Sequence, residues 1–156
     1  MPRKTAAASL PRIVIVGSSG HASVVIDVIE KTNRFTILGL IDSFVPPGMT
    51  ACGYPILGDE RILPSLIADE RVSGCFIAVG DNWKRFVLYK RIVSLAPEII
   101  FISAIHPSAQ IARNVRIGRG TVLMAGTVVN SNTTIGDFCI LNTNRLLYTS
   151  PSPPDS

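Results

Sequence analysis

The stretch Asn114–Leu141, NVRIGRGTVLMAGTVVNSNTTIGDFCIL, decides the fold. Its aliphatic residues belong to an unbroken series at intervals of six: Ile105, Ile111, Ile117, Leu123, Val129, Ile135 and Leu141. An amphipathic helix repeats every 3.6 residues and a strand every two, so neither period explains the spacing. Two places before the later members stand Ala109, Val115, Thr121, Thr127, Thr133 and Cys139, all small or β-branched. A six-residue phase is the mark of a hexapeptide β-helix, in which each unit forms one flat side of a triangular coil. Residues eighteen apart then share a column. Ile105, Leu123 and Leu141 make one, Ile111 and Val129 a second, Ile117 and Ile135 a third. Two hairpins would satisfy local alternation in TVLMAGTVV but would not hold the phase across seven places. Arg119–Gly120, Asn130–Asn132 and Asp137 suit the prism corners.

The residues upstream follow a different rhythm. RIVIVG (Arg12–Gly17) reads as a buried strand, and SSGHASVVIDVIEK after it as a helix with Ala22, Val25, Ile26 and Ile29 on one side. Ser19 is placed to cap that helix if it starts near Gly20. FTILGLID (Phe35–Asp42) is the next strand, and the Pro/Gly-rich SFVPPGMTACGYPILG reads as a loop before a short helix at Arg61–Asp69. GCFIAVG (Gly74–Gly80) and IIFIS (Ile99–Ser103) complete four strands, with NWKRFVLYKRIVSLA as a helix packed through Phe86, Leu88 and Tyr89. Strands alternating with helices predict a parallel α/β lobe, whose ligands sit beyond the C-terminal strand ends. Those ends are Gly17–His21, Asp42 and Gly80–Asn82. The division expected is a leader over 1–11, an α/β lobe over 12–104, a left-handed parallel β-helix over 105–147 and a disordered tail over 148–156.

GSSGHA lacks the G-x-G-x-x-G spacing of a dinucleotide fold. A Gly-rich turn leading into a helix offers N–H groups to an anion, usually a phosphate. Equally, Gly17 and Gly20 can serve only to let strand and helix pack closely. Asp42 can accept from a sugar or base, or cap its own turn.

Composition narrows the classes. The net charge of +4 is mild, and the only basic cluster, Arg113, Arg116 and Arg119, carries no aromatic residues among it. Nucleic-acid sites pair a basic track with stacking residues, so none is expected. Cys52, Cys75 and Cys139 give neither a disulfide framework nor a metal motif. No signal peptide and no apolar run of about 20 residues is present, so a cytoplasmic protein away from membranes is expected.

The combination of VIVGSSGHASVVIDVI, LGLID and IAVGDN with AIHPSAQIARNVRIGRGTVLMAGTVVN and IGDFCILNT resembles one family. It is similar to the sugar-nucleotide acetyltransferases of the sialic acid O-acetyltransferase (NeuD-like) group, which includes enzymes acting on UDP-linked 4-amino sugars. The resemblance covers Arg12 to about Thr143 and implies a substrate site for a UDP-sugar or related nucleotide sugar. Its residues here are Gly17, Ser18, Ser19, Gly20 and His21, with Asp42 and the loop Gly80, Asp81 and Asn82. It further implies acetyl-CoA as donor, held against the prism near Gly126, Asn142 and Thr143, a homotrimer, and no metal.

The resemblance also implies a general-base histidine beside an acid just beyond ILNT. Here the register places Thr149 and Ser150 at those positions, and a hydroxyl near neutral pH is no general base. Arg145 stands where a small inward residue is expected, and burying a guanidinium there would be costly. The reading is therefore of an altered or truncated chain after Thr143, with no catalytic residue assigned. His21, beside the turn, either contacts the ligand or packs its helix. His106 in IHPSA reads as structural and Cys139 as core. The alternative is a non-catalytic nucleotide-sugar binding or regulatory protein.

Overall fold

The computed structural model describes residues 8–147. The strand predicted at the N-terminus is β1 (Arg12–Val16), followed by α1 (Gly20–Thr32) and β2 (Thr36–Ile41). Next come β3 (Thr50–Ala51), β4 (Tyr54–Gly58), a 3₁₀ turn (Glu60–Ile62) and α2 (Leu63–Ala68). β5 (Gly74–Ile77), α3 (Asn82–Leu95) and β6 (Ile100–Phe101) close the lobe. The strands form one sheet in the order β3-β4-β2-β1-β5-β6, with β1 parallel to both β2 and β5.

The segment read as a Pro/Gly-rich loop is partly sheet, which corrects the count of four strands. β4 runs parallel to β2, and β3 folds back antiparallel onto β4 with Ala51 opposite Tyr54. Cys52 and Gly53 between them both have positive φ, 53° and 82°. Two such residues in succession are what a tight hairpin needs to match strand twist.

The prism is built as the six-residue phase predicts. Eight two-residue strands follow: β7 (Ala104–Ile105), β8 (Gln110–Ile111), β9 (Arg116–Ile117), β10 (Val122–Leu123), β11 (Val128–Val129), β12 (Thr134–Ile135), β13 (Ile140–Leu141) and β14 (Leu146–Leu147). They stack in parallel as three faces, β7-β10-β13, β8-β11-β14 and β9-β12. All three columns form, since Leu123 pairs with both Ile105 and Leu141, Val129 with Ile111, and Ile135 with Ile117. The second column extends to Leu147, four residues past the end of the family resemblance. Leu123, Val129, Ile135 and Leu141 form the buried spine. Of the three inward threonines, Thr121 and Thr127 satisfy their hydroxyls, whereas Thr133 Oγ1 is buried without a hydrogen-bond partner among the described residues. Thr121 Oγ1 donates to the Gly136 carbonyl at 2.8 Å, and Thr127 Oγ1 to the Met124 carbonyl at 2.7 Å. A buried hydroxyl without a partner costs the coil stability.

The corners carry a six-residue series of their own. Asn114, Gly120, Gly126, Asn132, Phe138 and Asn144 all have positive φ, between 55° and 70°. Phe138 is the unexpected member, because a bulky side chain there is strained. Its ring lies over Gly120, where a Cβ would come within 2.4 Å of it, so Gly120 must be glycine for two reasons. Phe138 is held by stacking with Tyr89 at 4.9 Å and Phe101 at 5.2 Å between ring centroids. Arg119 lies over the same three rings and donates to the Tyr89 hydroxyl at 2.9 Å.

Two contacts join the lobe to the prism. Phe138 packs on the sheet face covered by α2 and α3. On the other face, α1 is wedged between the sheet and the outer surface of β7-β10-β13. Its Ala22, Val25, Ile26, Val28 and Ile29 share one core with Ile13, Ile15 and Phe76 of the sheet and with Ala104, Val122 and Met124 of the prism. Apolar area removed from water at a continuous interface contributes about 25 cal/mol per Å², so the two parts stabilise each other.

The spine predicts a contrast between two members of the aliphatic series. Leu123→Ala, at a fully buried site, is expected to cost about 2–5 kcal/mol in urea unfolding. Ile111→Ala, at a site 36 % exposed, should cost under about 1 kcal/mol. Equal losses would contradict the stack.

Candidate functional site

The sheet and prism leave a cleft of about 640 Å³ where they meet. Its lobe wall is His21, Gly80, Asn82 and Arg85; its prism wall includes Phe138, Cys139, Asn142 and Arg145. Four residues singled out in the sequence thus come together: His21 from the first turn of α1, Gly80 from the loop after β5, Asn82 from the start of α3, and Asn142 from the prism.

The other candidates lie around it. Gly17 has φ of +112°, and a Cβ there would stand 2.8 Å from the Ala78 carbonyl oxygen. Its glycine is therefore accounted for by close packing of β1 against the β5 end. Gly20 is different, since an added Cβ would meet nothing within 4 Å. Ser19 precedes α1 as its N-cap residue, but its side chain makes no capping bond, so the start of α1 lacks the expected side-chain partner. Ser18 Oγ donates to Asp42, whose other oxygen accepts the Phe44 N–H at 2.8 Å. Asp42 thus caps its own turn while holding the Gly turn in place. Gly17 and Asp42 border a second, small cavity of about 80 Å³ with Glu60. The Glu60 carboxylate, buried, accepts from Ser43 Oγ and faces Arg91 at 4.0 Å. Asp81 is the N-cap of α3, accepting the Lys84 N–H at 2.8 Å.

On the prism, Gly126 has φ of +70° and its N–H donates to Ser108 Oγ at 2.9 Å. Corner geometry accounts for it, and Thr143 is an exposed turn residue beyond the cleft wall. His106 Nδ1 accepts from the Ser108 N–H at 3.0 Å and bonds its hydroxyl at 2.7 Å, the structural role expected of it. Thr149 and Ser150 lie outside the described residues.

Three side chains depart from expectation. Phe86, taken as packing, is exposed, and Arg85 beside it is buried instead. Leu88 and Tyr89 pack as expected, and the Arg85 guanidinium is accommodated by four acceptors. Arg145 is exposed rather than buried: it swings into the cleft, where its charge keeps contact with water. Cys139 is half-buried, its thiol packed on the spine while its residue borders the cleft. Cys75, by contrast, is fully buried, and burial pushes its thiol up to about 12.

Arg85 is the site residue that sequence reading missed. Asp81 at the N-cap and Asn82 at the first helical position place residue 85 one turn on, facing back to the loop. That i+3 spacing was the available signal. His21 Nε2 is buried without a hydrogen-bond partner among the described residues. Burial, and secondarily the positive Arg85, lower its pKa from 6.5. No group of metal-ligating side chains occurs among the described residues.

A Rossmann-like α/β lobe that meets a hexapeptide-repeat β-helix across one cleft defines the class. The chain belongs to the family of the PglD N-terminal domain, whose profile matches residues 12–92. It is 31% identical over 122 residues to UDP-N-acetylbacillosamine N-acetyltransferase of Bacillus subtilis (strain 168), covering 74% of this chain and 52% of that protein. The chain therefore spans about half the length of its curated relative. Among solved structures it resembles PerB from Caulobacter crescentus in complex with CoA and GDP-perosamine. That match has a TM-score of 0.78 and 34% identity over 91% of this chain and 65% of the other. The acetyltransferase domain of PglB from Neisseria gonorrhoeae, in complex with acetyl coenzyme A, shares the fold at a TM-score of 0.74 and 24% identity, over 89% and 65% of the two chains. No helix among the described residues is long and apolar enough to cross a membrane.

The lowered pKa of His21 fixes a sign. Folded protein binds this proton more weakly than unfolded protein, so stability is complete above 6.5 and declines as pH falls from there toward the folded value. Carbon-detected or proton NMR should place the His21 midpoint below 6.5, and His21→Gln should remove that part of the pH dependence of unfolding. A midpoint at or above 6.5 would contradict the buried environment.

Proposed function

We propose that this chain acts in acetyl transfer from acetyl-CoA to a nucleotide-linked sugar, a UDP-4-amino sugar in the first instance. The observation that carries the reading is the cleft, which brings the Gly-turn side of the lobe and the prism to face one another. Gly17 to His21, Asp42 and Gly80 to Asn82 would hold the nucleotide sugar. Asn142 on the prism wall, with Thr143 beside it, fits the acetyl donor, while Gly126 shapes the corner between coils. Support comes from the relatives: the Bacillus subtilis protein is named for a UDP-sugar and the Caulobacter crescentus enzyme was seen with CoA and a GDP-sugar.

In such a transfer the sugar amine attacks the thioester carbonyl. A C–N bond forms, the C–S bond breaks, CoA leaves as the thiol and the amine gives up a proton to a general base. That base must stand within about 3 Å of the nucleophile. Among the described residues the cleft wall carries His21 but no carboxylate to orient or support it, and Thr149 and Ser150 occupy the places where the family resemblance puts a histidine and its acid. These residues by themselves therefore bind without turning over. The second reading, a nucleotide-sugar binding or regulatory protein, draws on this same lack of an acid–base pair.

The trimer belongs to the same proposal. The outer face of β7-β10-β13 is covered by α1 and that of β9-β12 presents Arg116 and Thr134. The face of β8-β11-β14 presents Val128 and Leu146, 37% and 55% exposed, and is the one suited to copies of this chain.

Calorimetric titration with a UDP-sugar, a GDP-sugar and acetyl-CoA in parallel tests the proposal. A Kd on the order of micromolar for a nucleotide sugar is expected, with no acetylated product by mass spectrometry. Failure of both nucleotide sugars to bind would reject the substrate class, and measured turnover would reject the loss of the base. Sedimentation should give a trimer that Leu146→Glu dissociates.

A further inference from the structure

Arg85 is 7% exposed, and no carboxylate among the described residues lies within ion-pair distance of it. Removing a guanidinium from water is costly unless its donors are satisfied. Here four of its five N–H donors find acceptors. Nη1 donates to the carbonyls of Val79 at 2.9 Å and Gly80 at 3.1 Å, Nη2 to Asn82 Oδ1 at 2.6 Å, and Nε to the carbonyl of Phe138 at 3.2 Å. Three acceptors belong to the end of β5 and the start of α3. The fourth belongs to the prism corner 53 residues further along the chain. One rigid fork therefore ties both walls of the cleft together, a span that the single ammonium of a lysine does not match.

We infer that Arg85 is a positioning residue for the ligand: it fixes the distance between the 79–82 loop and the Phe138 corner, and it turns the Asn82 amide so that its NH₂ group faces the cleft. The inference rests on the cleft holding a nucleotide sugar. With Oδ1 turned to the guanidinium, the group that Asn82 has free for the cleft is its NH₂ donor. The ligand atom it meets is then an acceptor oxygen, from a phosphate or a sugar hydroxyl. Neither cleft wall supplies a carboxylate to compete for that donor, and Arg145 adds a second cation on the prism side. Burial, and secondarily the like charge of this guanidinium, disfavour a proton on His21, which lines the same cleft.

Two variants separate this from a role in packing alone. Asn82→Asp keeps the oxygen that Arg85 needs and adds an ion pair, while deleting the amide donor. It should leave Tm unchanged or raised, yet weaken calorimetric binding of the UDP- or GDP-sugar that wild type binds by about ten-fold or more, the loss expected for one ligand hydrogen bond. Binding equal to wild type would overturn the assignment of Asn82. Arg85→Met is read without ligand, by amide hydrogen exchange. Exchange should quicken together at Val79 to Asn82 and at Phe138, and protection unchanged at either end would overturn the tie. If Arg85→Met does not fold, Arg85→Lys is read in the same way, with protection lost on at least one of the two walls and unchanged protection on both overturning it. Wild-type protein that binds neither nucleotide sugar would reject the proposed substrate class, while the exchange measurement still decides the tie.

Discussion

The burial of α1 on both its sides is the constraint from which the rest follows. A surface helix of an α/β lobe usually has one apolar stripe and one wet face. Here Ala22, Val25, Ile26, Val28 and Ile29 lie between the sheet and the outer surface of β7-β10-β13, while Ser23, Val24, Asp27, Glu30 and Lys31 face solvent. A prism face that would otherwise be bare is covered by this helix, and the helix gains a second layer it could not find within the lobe. The turn that feeds α1, from Gly17 to Gly20, is thereby aimed along the seam between the two parts. The cleft is the space left at the end of that seam.

Phe138 completes the docking from the other side of the sheet, and its position explains two otherwise unrelated features. A phenylalanine at a left-handed corner carries backbone strain of roughly 1–3 kcal/mol, which persists only where surroundings over-determine it. The rings of Tyr89 and Phe101, the cation of Arg119 and the bare Gly120 beneath supply those surroundings. Its carbonyl is then available to Arg85, so the strained corner, the aromatic cluster and the cleft wall form one connected arrangement. Chemistry at the cleft is set by this connection as much as by the residues that line it.

The prism was legible because inward stacking imposes a period that no other common structure shares. The corner series was half legible: Gly120 and Asn132 fall within the stretches read as corners, but the third corner is Phe138 and not the neighbouring Asp137, because a phenylalanine gives no signal for positive φ. β3 and β4 were missed because Pro46, Pro47, Gly48 and Gly53 read as loop, although Cys52–Gly53 is the tight turn of a hairpin. At the site, the strand ends pointed to His21, Gly80 and Asn82 without any knowledge of packing. Arg85 was not found, since a charge in the first turns of a helix ordinarily faces water; three of its acceptors are local, but the fourth, the Phe138 carbonyl, comes from tertiary placement. Arg145 failed for the opposite reason: its register points inward, but the cleft gives the guanidinium a wet way out.

If α1 and Phe138 make the two parts one core, neither part is stable without the other. Differential scanning calorimetry reads this directly. A single transition with equal calorimetric and van't Hoff enthalpies is the expected result. Two separable transitions, one for the α/β lobe and one for the prism, would contradict the account.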